Sequence, residues 1–103
     1  MYYYKTMKIN TLLHNLGLTE HESASYLAML ALGPSPIAAI AKTSGIHRPT
    51  LYHVLPLLEK RGLVSRVPRG KRTWYAAESP QRIEQLIGTL TDEVHRILPE
   101  LEH

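Results

Sequence analysis

Apolar residues recur at helical spacing over most of this chain and change to a shorter, β-type period only between residues 63 and 77. Ile9, Leu12, Leu13 and Leu16 open the pattern, and Gly17 is placed to end that helix in a left-handed cap. Thr19-Glu20-His21-Glu22 reads as a capping box, in which the Thr19 hydroxyl takes a first-turn N–H while the Glu22 carboxylate reaches back. Tyr26, Leu27, Leu30 and the alanines carry a second helix to Leu32, where Gly33-Pro34 stops it. Ser35-Pro36 predicts another start, a capping serine followed by proline at the first helical position, and Ile37, Ile40 and Ala41 give this short third helix its inward stripe. Ser44-Gly45 makes the next turn, with Ile46 anchoring it. A fourth helix is predicted from about Arg48 to Arg61, with Leu51, Val54, Leu55 and Leu58 inward at i, i+3, i+4, i+7, and Gly62 ends it.

Residues 63–67 and 72–77 are short β-type runs joined by the turn Pro68-Arg69-Gly70-Lys71, hence a hairpin. Ser79-Pro80 repeats the cap-plus-proline signal and launches a last helix to about Leu98. The expected fold is mainly α with a small β-hairpin wing: a winged helix-turn-helix with an N-terminal helix and a C-terminal dimerisation helix. The 103 residues read as a single domain, with a core over about 7–78 and a coiled-coil-like helix over about 79–101. An apolar fraction of 44% suffices for a modest core but not for a large substrate cavity. Tyr2 to Tyr4 form an aromatic cluster, either a frayed end or an apolar strip covering a neighbour.

Charge changes the picture more than composition does. The formal net charge is only +3, but residues 34–77 hold eight cations (Lys42, Arg48, Lys60, Arg61, Arg66, Arg69, Lys71 and Arg72) against Glu59 alone. The remainder of the chain holds four cations and eight carboxylates. A basic middle between acidic ends implies one face for a polyanion and another for a different contact.

Two short helices joined by a glycine-containing turn are the unit that places a second, recognition helix in the DNA major groove. On the wheel of that helix Pro49, His53, Pro56 and Lys60 lie opposite the inward stripe, flanked by Thr50, Tyr52 and Leu57. Arg48, Pro49, Thr50, Tyr52 and His53, in its N-terminal half, are the candidate readers. Arg can grip guanine, Thr can touch a thymine methyl, and His can donate or accept at a base edge. Pro56 removes one helical hydrogen bond, so either the helix bends there or the bend belongs to its fit. Arg69 and Lys71 at the hairpin tip, with Arg66 and Arg72 on its arms, suit phosphates or a narrow minor groove.

The runs Gly45-Ile46-His47-Arg48-Pro49-Thr50-Leu51-Tyr52 and Leu58-Glu59-Lys60-Arg61-Gly62-Leu63-Val64 resemble the MarR and TrmB groups of winged-helix transcriptional regulators. The approach Leu16-Gly17-Leu18-Thr19-Glu20 and the exit Tyr75-x-Ala77-x-x-Pro80 are more similar to TrmB-type, sugar-responsive archaeal regulators, and the likeness runs from roughly Ile9 to Leu98. The resemblance implies that Arg48, Thr50, Tyr52 and His53 fall where the family reads bases, and Arg69 and Lys71 where its wing meets the backbone. Full-length TrmB regulators also carry a C-terminal effector-binding domain that nothing in this sequence supplies. The chain therefore reads as a stand-alone minimal regulator or as an N-terminal fragment, and sugar sensing is not carried over.

In the last helix Ile83, Ile87, Leu90, Val94, Ile97 and Leu101 are spaced 4-3-4-3-4, the seam of a coiled coil, and Leu86 and Leu98 widen it. Ile83, Leu86, Ile87, Leu90, Val94 and Ile97, with Leu12 and Leu16 of the first helix, are the expected dimer interface; the alternative is that this helix packs on its own domain. The expected partners are a second copy and double-stranded DNA carrying an inverted repeat. No membrane-length apolar run occurs, the sequence does not identify any effector, and the absence of cysteine fits a reducing cytoplasm. The six histidines include no i, i+4 pair, and no phosphate loop, nucleophile elbow or paired carboxylates stand out, so no metal, cofactor or catalytic residue is expected. The competing reading is a winged helix that contacts protein or RNA, kept open by the outward apolar residues Pro49, Pro56 and Leu57.

Overall fold

A computed structural model describes residues 2–101, with side chains described over 9–100. The chain folds as α1 (Tyr2–Asn15), α2 (Glu20–Leu32), β1 (Ser35–Pro36), α3 (Ile37–Ser44), α4 (Arg48–Lys60), β2 (Val64–Arg69), β3 (Arg72–Ala77) and α5 (Pro80–Leu101). This is the winged helix-turn-helix that the hydrophobic pattern predicts, with one strand added. The side chains of the Tyr2–Tyr4 cluster and of Leu101 lie outside the described residues.

The capping box forms as its residues require. The Glu22 N–H donates to Thr19 Oγ1 at 3.1 Å and the Thr19 N–H donates to Glu22 Oε1 at 3.0 Å. The Glu22 residue is only 3% exposed, and its second oxygen faces Arg61 Nε at 3.4 Å. The cap of α2 therefore doubles as an ion pair with the residue that ends α4. A buried carboxylate is tolerable because that guanidinium is beside it.

Ser35-Pro36 does not cap α3. These residues form β1, an antiparallel edge strand in which Ser35 pairs with Tyr75 and Pro36 with Trp74. Helix α3 starts one residue later, at Ile37, with Pro36 extended at φ −73° and ψ 160° and no side-chain cap. The Ser35 hydroxyl donates instead to the Gly33 carbonyl at 2.9 Å. The proline ring fixes φ near a value shared by helical and extended backbone, so sequence cannot choose between them. Pairing with β3 makes the choice, and an edge strand does not miss the proline N–H.

The core forms where α1, α2, α4 and the sheet meet. The predicted stripe of α4 is buried throughout, as are Leu13, Leu18, Tyr26, Met29, Ile40, Ile46, Leu63 and Tyr75. Leu13 thus belongs to the core, while Leu12 beside it is exposed. Helix α4 runs through Pro56 without interruption. The proline ring sits on the exposed side, where water can replace the missing donor.

Helix α5 divides in two. Ile83 is 4% exposed within the chain's own core, and Leu86 and Ile87 pack against that core. Ile83, expected at the dimer seam, is therefore taken up inside the monomer, because a helix launched at Pro80 at once meets the apolar side of Leu16, Leu18 and Leu63. From Gly88 to Glu100 every residue is exposed. The radius of gyration of 15.6 Å exceeds the roughly 13 Å of a compact chain of this size, as expected if half of α5 projects as an arm.

The Tyr26 hydroxyl donates to the Glu78 carbonyl at 2.8 Å and ties α2 to the start of α5. Burial, with a smaller contribution from the Glu78 charge, pushes the Tyr26 phenol from its ordinary 10 up to about 12. The protonated form is favoured by folding, so this stabilisation is complete below pH 10 and is lost as pH rises toward 12. Tyr26→Phe should cost about 1 kcal/mol at neutral pH and flatten the alkaline decline, as read from urea unfolding between pH 8 and 12. An unchanged alkaline profile would place the titration elsewhere.

Candidate nucleic-acid interface

Gly45 closes α3 in the left-handed conformation, at φ 74° and ψ 12°, a region that costs a side-chain-bearing residue energy. The following N–H of Ile46 donates to Ser44 Oγ at 3.2 Å, and the Ile46 side chain enters the core. This tight turn orients α4 across α3. The buried stripe of α4 then forces its opposite face outward: Pro49, His53, Pro56 and Lys60 are all exposed, as the wheel predicts. Tyr52 is 59% and Leu57 52% exposed on the two flanks, and Thr50 is half-buried.

The wing is longer and its turn tighter than the sequence suggests. Strands β2 and β3 stay paired out to Arg69 and Arg72, leaving Gly70-Lys71 as a two-residue turn. Gly70 takes φ 63° at the first turn position, the requirement of a II′ hairpin turn. Pro68 and Arg69, expected in the turn, are therefore strand residues. With this register Arg69, Arg72 and Trp74 fall on one face of the hairpin, and Arg66, Thr73 and Tyr75 on the other.

The four wing cations consequently differ in role. Arg66 Nε donates to both oxygens of Glu59, at 2.9 and 3.1 Å, and its guanidinium lies 5.7 Å from the Tyr75 ring centre. The Glu59 hydrogen bond, reinforced by that carboxylate's charge, raises the Arg66 pKa above its ordinary value. Arg66, a candidate DNA contact by sequence, is thus already neutralised as a brace between α4 and the wing. Arg69 lies 4.6 Å above the Trp74 ring, and Arg72 is its partner directly across the ladder. Lys71 and Arg72 are exposed. Among the described residues the ion pairs are Arg61–Glu22 and Arg66–Glu59, so Arg48, Lys60, Arg69, Lys71 and Arg72 have no carboxylate partner.

Between the wing and the helix pair lies a cleft of about 450 Å³. Arg48 and Tyr52 of α4, Ile37 and Ala38 of α3, and Arg72 and Thr73 of β3 line it. A second, apolar cleft of about 260 Å³ runs between the core and α5, past Leu16, Leu63, Leu86 and Leu90, with Arg61 at its edge. Glu59, Trp74 and Tyr75 were absent from the sequence-derived site. A two-residue Gly70-Lys71 turn was the signal that could have found the stacking partners, because it sets which hairpin residues share a face.

The family profile described as "Sugar-specific transcriptional regulator TrmB" matches residues 12–81, most of the chain. The chain belongs to the TrmB family. Over 86 residues it is 36% identical to the "HTH-type sugar sensing transcriptional regulator TrmBL1" of Pyrococcus furiosus, covering 82% of this chain but only 25% of that relative. The solved structure of TrmBL2, described as an archaeal chromatin protein with a novel mode of DNA binding, superposes with a TM-score of 0.82 at 28% identity, over 95% of this chain and 38% of that one. The winged helix-turn-helix DNA-binding domain of Mb0332 from Mycobacterium bovis, described as homodimeric, shares the fold at a TM-score of 0.53 and 20% identity, over 92% of this chain and 85% of that one. The TrmB-type portion present here is thus the winged-helix region, and the chain spans about a quarter of the length of its Pyrococcus furiosus relative.

Glu59→Gln should loosen the wing without unfolding the core, since the brace is partly solvated. Hydrogen exchange of the amides from Val67 to Thr73 is expected to accelerate, with α2 and α4 still protected. Equal acceleration throughout the chain would show that Glu59 supports the whole fold instead.

Proposed function

We propose that this chain is a sequence-specific, double-stranded DNA-binding transcriptional regulator that works as a homodimer. The observation that carries the reading is that the exposed face of α4 and the uncommitted wing cations Arg69, Lys71 and Arg72 occur together on a helix-turn-helix and its wing. On this reading Thr50 and His53 meet base edges in the major groove, Pro49 and Tyr52 make apolar contacts beside them, and Lys60 meets the backbone. Arg69 and Lys71 meet phosphate or the minor groove. Regulation of transcription is the description of the family to which the chain belongs, and DNA binding that of the TrmBL2 structure. The reading places the protein in the cytoplasm, where DNA is met. Exposed Tyr52 and Leu57 favour a protein or RNA partner as the second reading.

Duplex binding should weaken steeply with salt, by about 0.9 in the slope of log K against log salt per phosphate neutralised. Arg69→Ala and Lys71→Ala should each flatten the slope by about one such contact, whereas Arg66→Ala, already paired, should leave it nearly unchanged. Thr50→Ala or His53→Ala should instead relax base preference, by about 1–3 kcal/mol at one position for a lost specific contact. Fluorescence anisotropy over a salt series with duplexes selected from a random pool checks each of these. Absence of duplex binding at low salt would end the DNA reading in favour of the second one.

Dimerisation is assigned to the projecting half of α5, where Leu90, Val94 and Ile97 are 56%, 48% and 47% exposed along one seam. Leu86, Ile87 and Leu16 border it from the chain's own body, and on this reading Leu12, exposed on α1, joins the interface. The DNA-binding core then spans about 7–78 and the dimer arm about 79–101, and a two-fold dimer requires an inverted repeat with half-sites spaced by about one helical turn or a multiple. Leu90→Glu with Val94→Glu should yield folded monomers in sedimentation, because neither residue belongs to the monomer core. A wild-type chain sedimenting as a monomer at high micromolar concentration would refute the dimer.

A further inference from the structure

Arg48 and Arg72 are 24 residues apart in sequence and converge on the cleft between α4 and the wing. Strand pairing brings them there: Arg72 stands on the hairpin face opposite Thr73 and borders the cleft at the free end of β3, beyond Trp74 and Tyr75, where β1 no longer covers the edge. β1 leads directly into α3, and its register with β3, Pro36 opposite Trp74, sets Arg72 and Thr73 beside the first turn of α3 and the first turn of α4. Neither guanidinium has a carboxylate partner among the described residues, and none of the residues lining the cleft is acidic. Two cations facing one cleft repel each other unless an anion sits between them.

The wheel of α4 separates Arg48 from the reading face. At ~100° per residue, Arg48 lies about 105° and Tyr52 about 65° from the direction shared by Pro49, His53 and Pro56, both on the wing-side flank. A long side chain on that flank extends over the cleft rather than straight into a groove below α4. Tyr52 and Thr73 add two hydroxyl donors at the same place.

We propose that Arg48 and Arg72 grip one DNA backbone phosphate in the cleft between α4 and the wing, with the Tyr52 and Thr73 hydroxyls as auxiliary donors. This assignment rests on the DNA-binding reading above and moves Arg48 from the base readers to the backbone contacts. Its function is to set register: a phosphate held between helix and wing fixes how deep α4 sits in the groove while Arg69 and Lys71 reach past it. Paired Arg contacts suit this task, since each guanidinium presents planar donors matched to phosphate oxygens.

The test measures binding of the wild type and of Arg48→Ala, Arg72→Ala and the double variant to a pool-selected duplex and to a scrambled one, over a salt series. Each single variant should lose about tenfold in affinity, the scale of a charge-assisted hydrogen bond, and by the same factor on both duplexes. The double variant should lose less than the product of the singles, because both side chains hold one group. Its salt slope should fall by about 0.9, the value for one phosphate. Arg48→Lys and Arg72→Lys should keep the slope while recovering only part of the affinity. Independent, multiplicative losses with a slope reduced by about 1.8 would mean two separate phosphates and overturn the shared grip. A changed base preference in Arg48→Ala would return Arg48 to the readers and overturn it equally. Failure of the wild type to bind any duplex removes the DNA reading and this inference with it, an outcome distinct from either of the others.

Discussion

Strand β3 is paired along both edges, and that double pairing fixes where the wing stands relative to the helix-turn-helix. On one side it holds β2 over six residues to form the wing, and on the other it holds the two-residue β1 that leads straight into α3. The wing is therefore registered against the helix-turn-helix through backbone hydrogen bonds rather than hung from it by a loop. The central position of β3 also explains its burial: Tyr75 faces the core, while Trp74 stays half-buried beneath Arg69. Immediately after β3 the Glu78 carbonyl takes the Tyr26 hydroxyl, so the same strand delivers α5 to the core.

The basic middle of the chain divides into structural and available charge. Arg61 neutralises the buried Glu22, linking the end of α4 to the start of α2, and Arg66 neutralises Glu59, linking α4 to β2. Removing the Arg61 partner would leave a carboxylate stranded in a low-dielectric site, which is far costlier than the modest worth of a solvated pair. Arg48, Arg69, Lys71 and Arg72 carry no such obligation. Their charge is available to a polyanion, and the stack of Arg69 on Trp74 reduces the side-chain freedom that a contact would otherwise have to restrict.

Helix α5 shows how one apolar seam can serve two environments. Its first turns complete the core through Ile83 and the flanking Leu86 and Ile87. Its later turns hold Leu90, Val94, Ile97 and Leu98 in water. Burying a side chain of this size is worth roughly 1.5–3 kcal/mol, so a continuous row left exposed is a strong driving force for association. The apolar cleft past Leu16 and Leu63 joins that row to the body of the chain, making the arm continuous with the core rather than a separate appendage.

Local signals in the sequence determined the helices, the capping box, the Gly45 turn, the inward stripe and the outward face of α4, and the existence of the wing, because each depends on contacts within a few residues. They also carried the family resemblance, since the runs around Arg48–Tyr52 and Leu58–Val64 lie within that local pattern. What the tertiary structure alone decided involves partners distant in sequence or a side-chain parity set by register. Ser35-Pro36 became a strand because β3 was beside it, a fact that proline's shared φ cannot express. The two-residue turn at Gly70 fixed which wing arginines share a face, turning Arg66 toward Glu59 and Arg69 toward Trp74. The heptad spacing of α5 marked an apolar stripe correctly but could not say where the core ends along it. That boundary depends on how far Leu16, Leu18 and Leu63 extend beneath the helix, and only packing in three dimensions sets it.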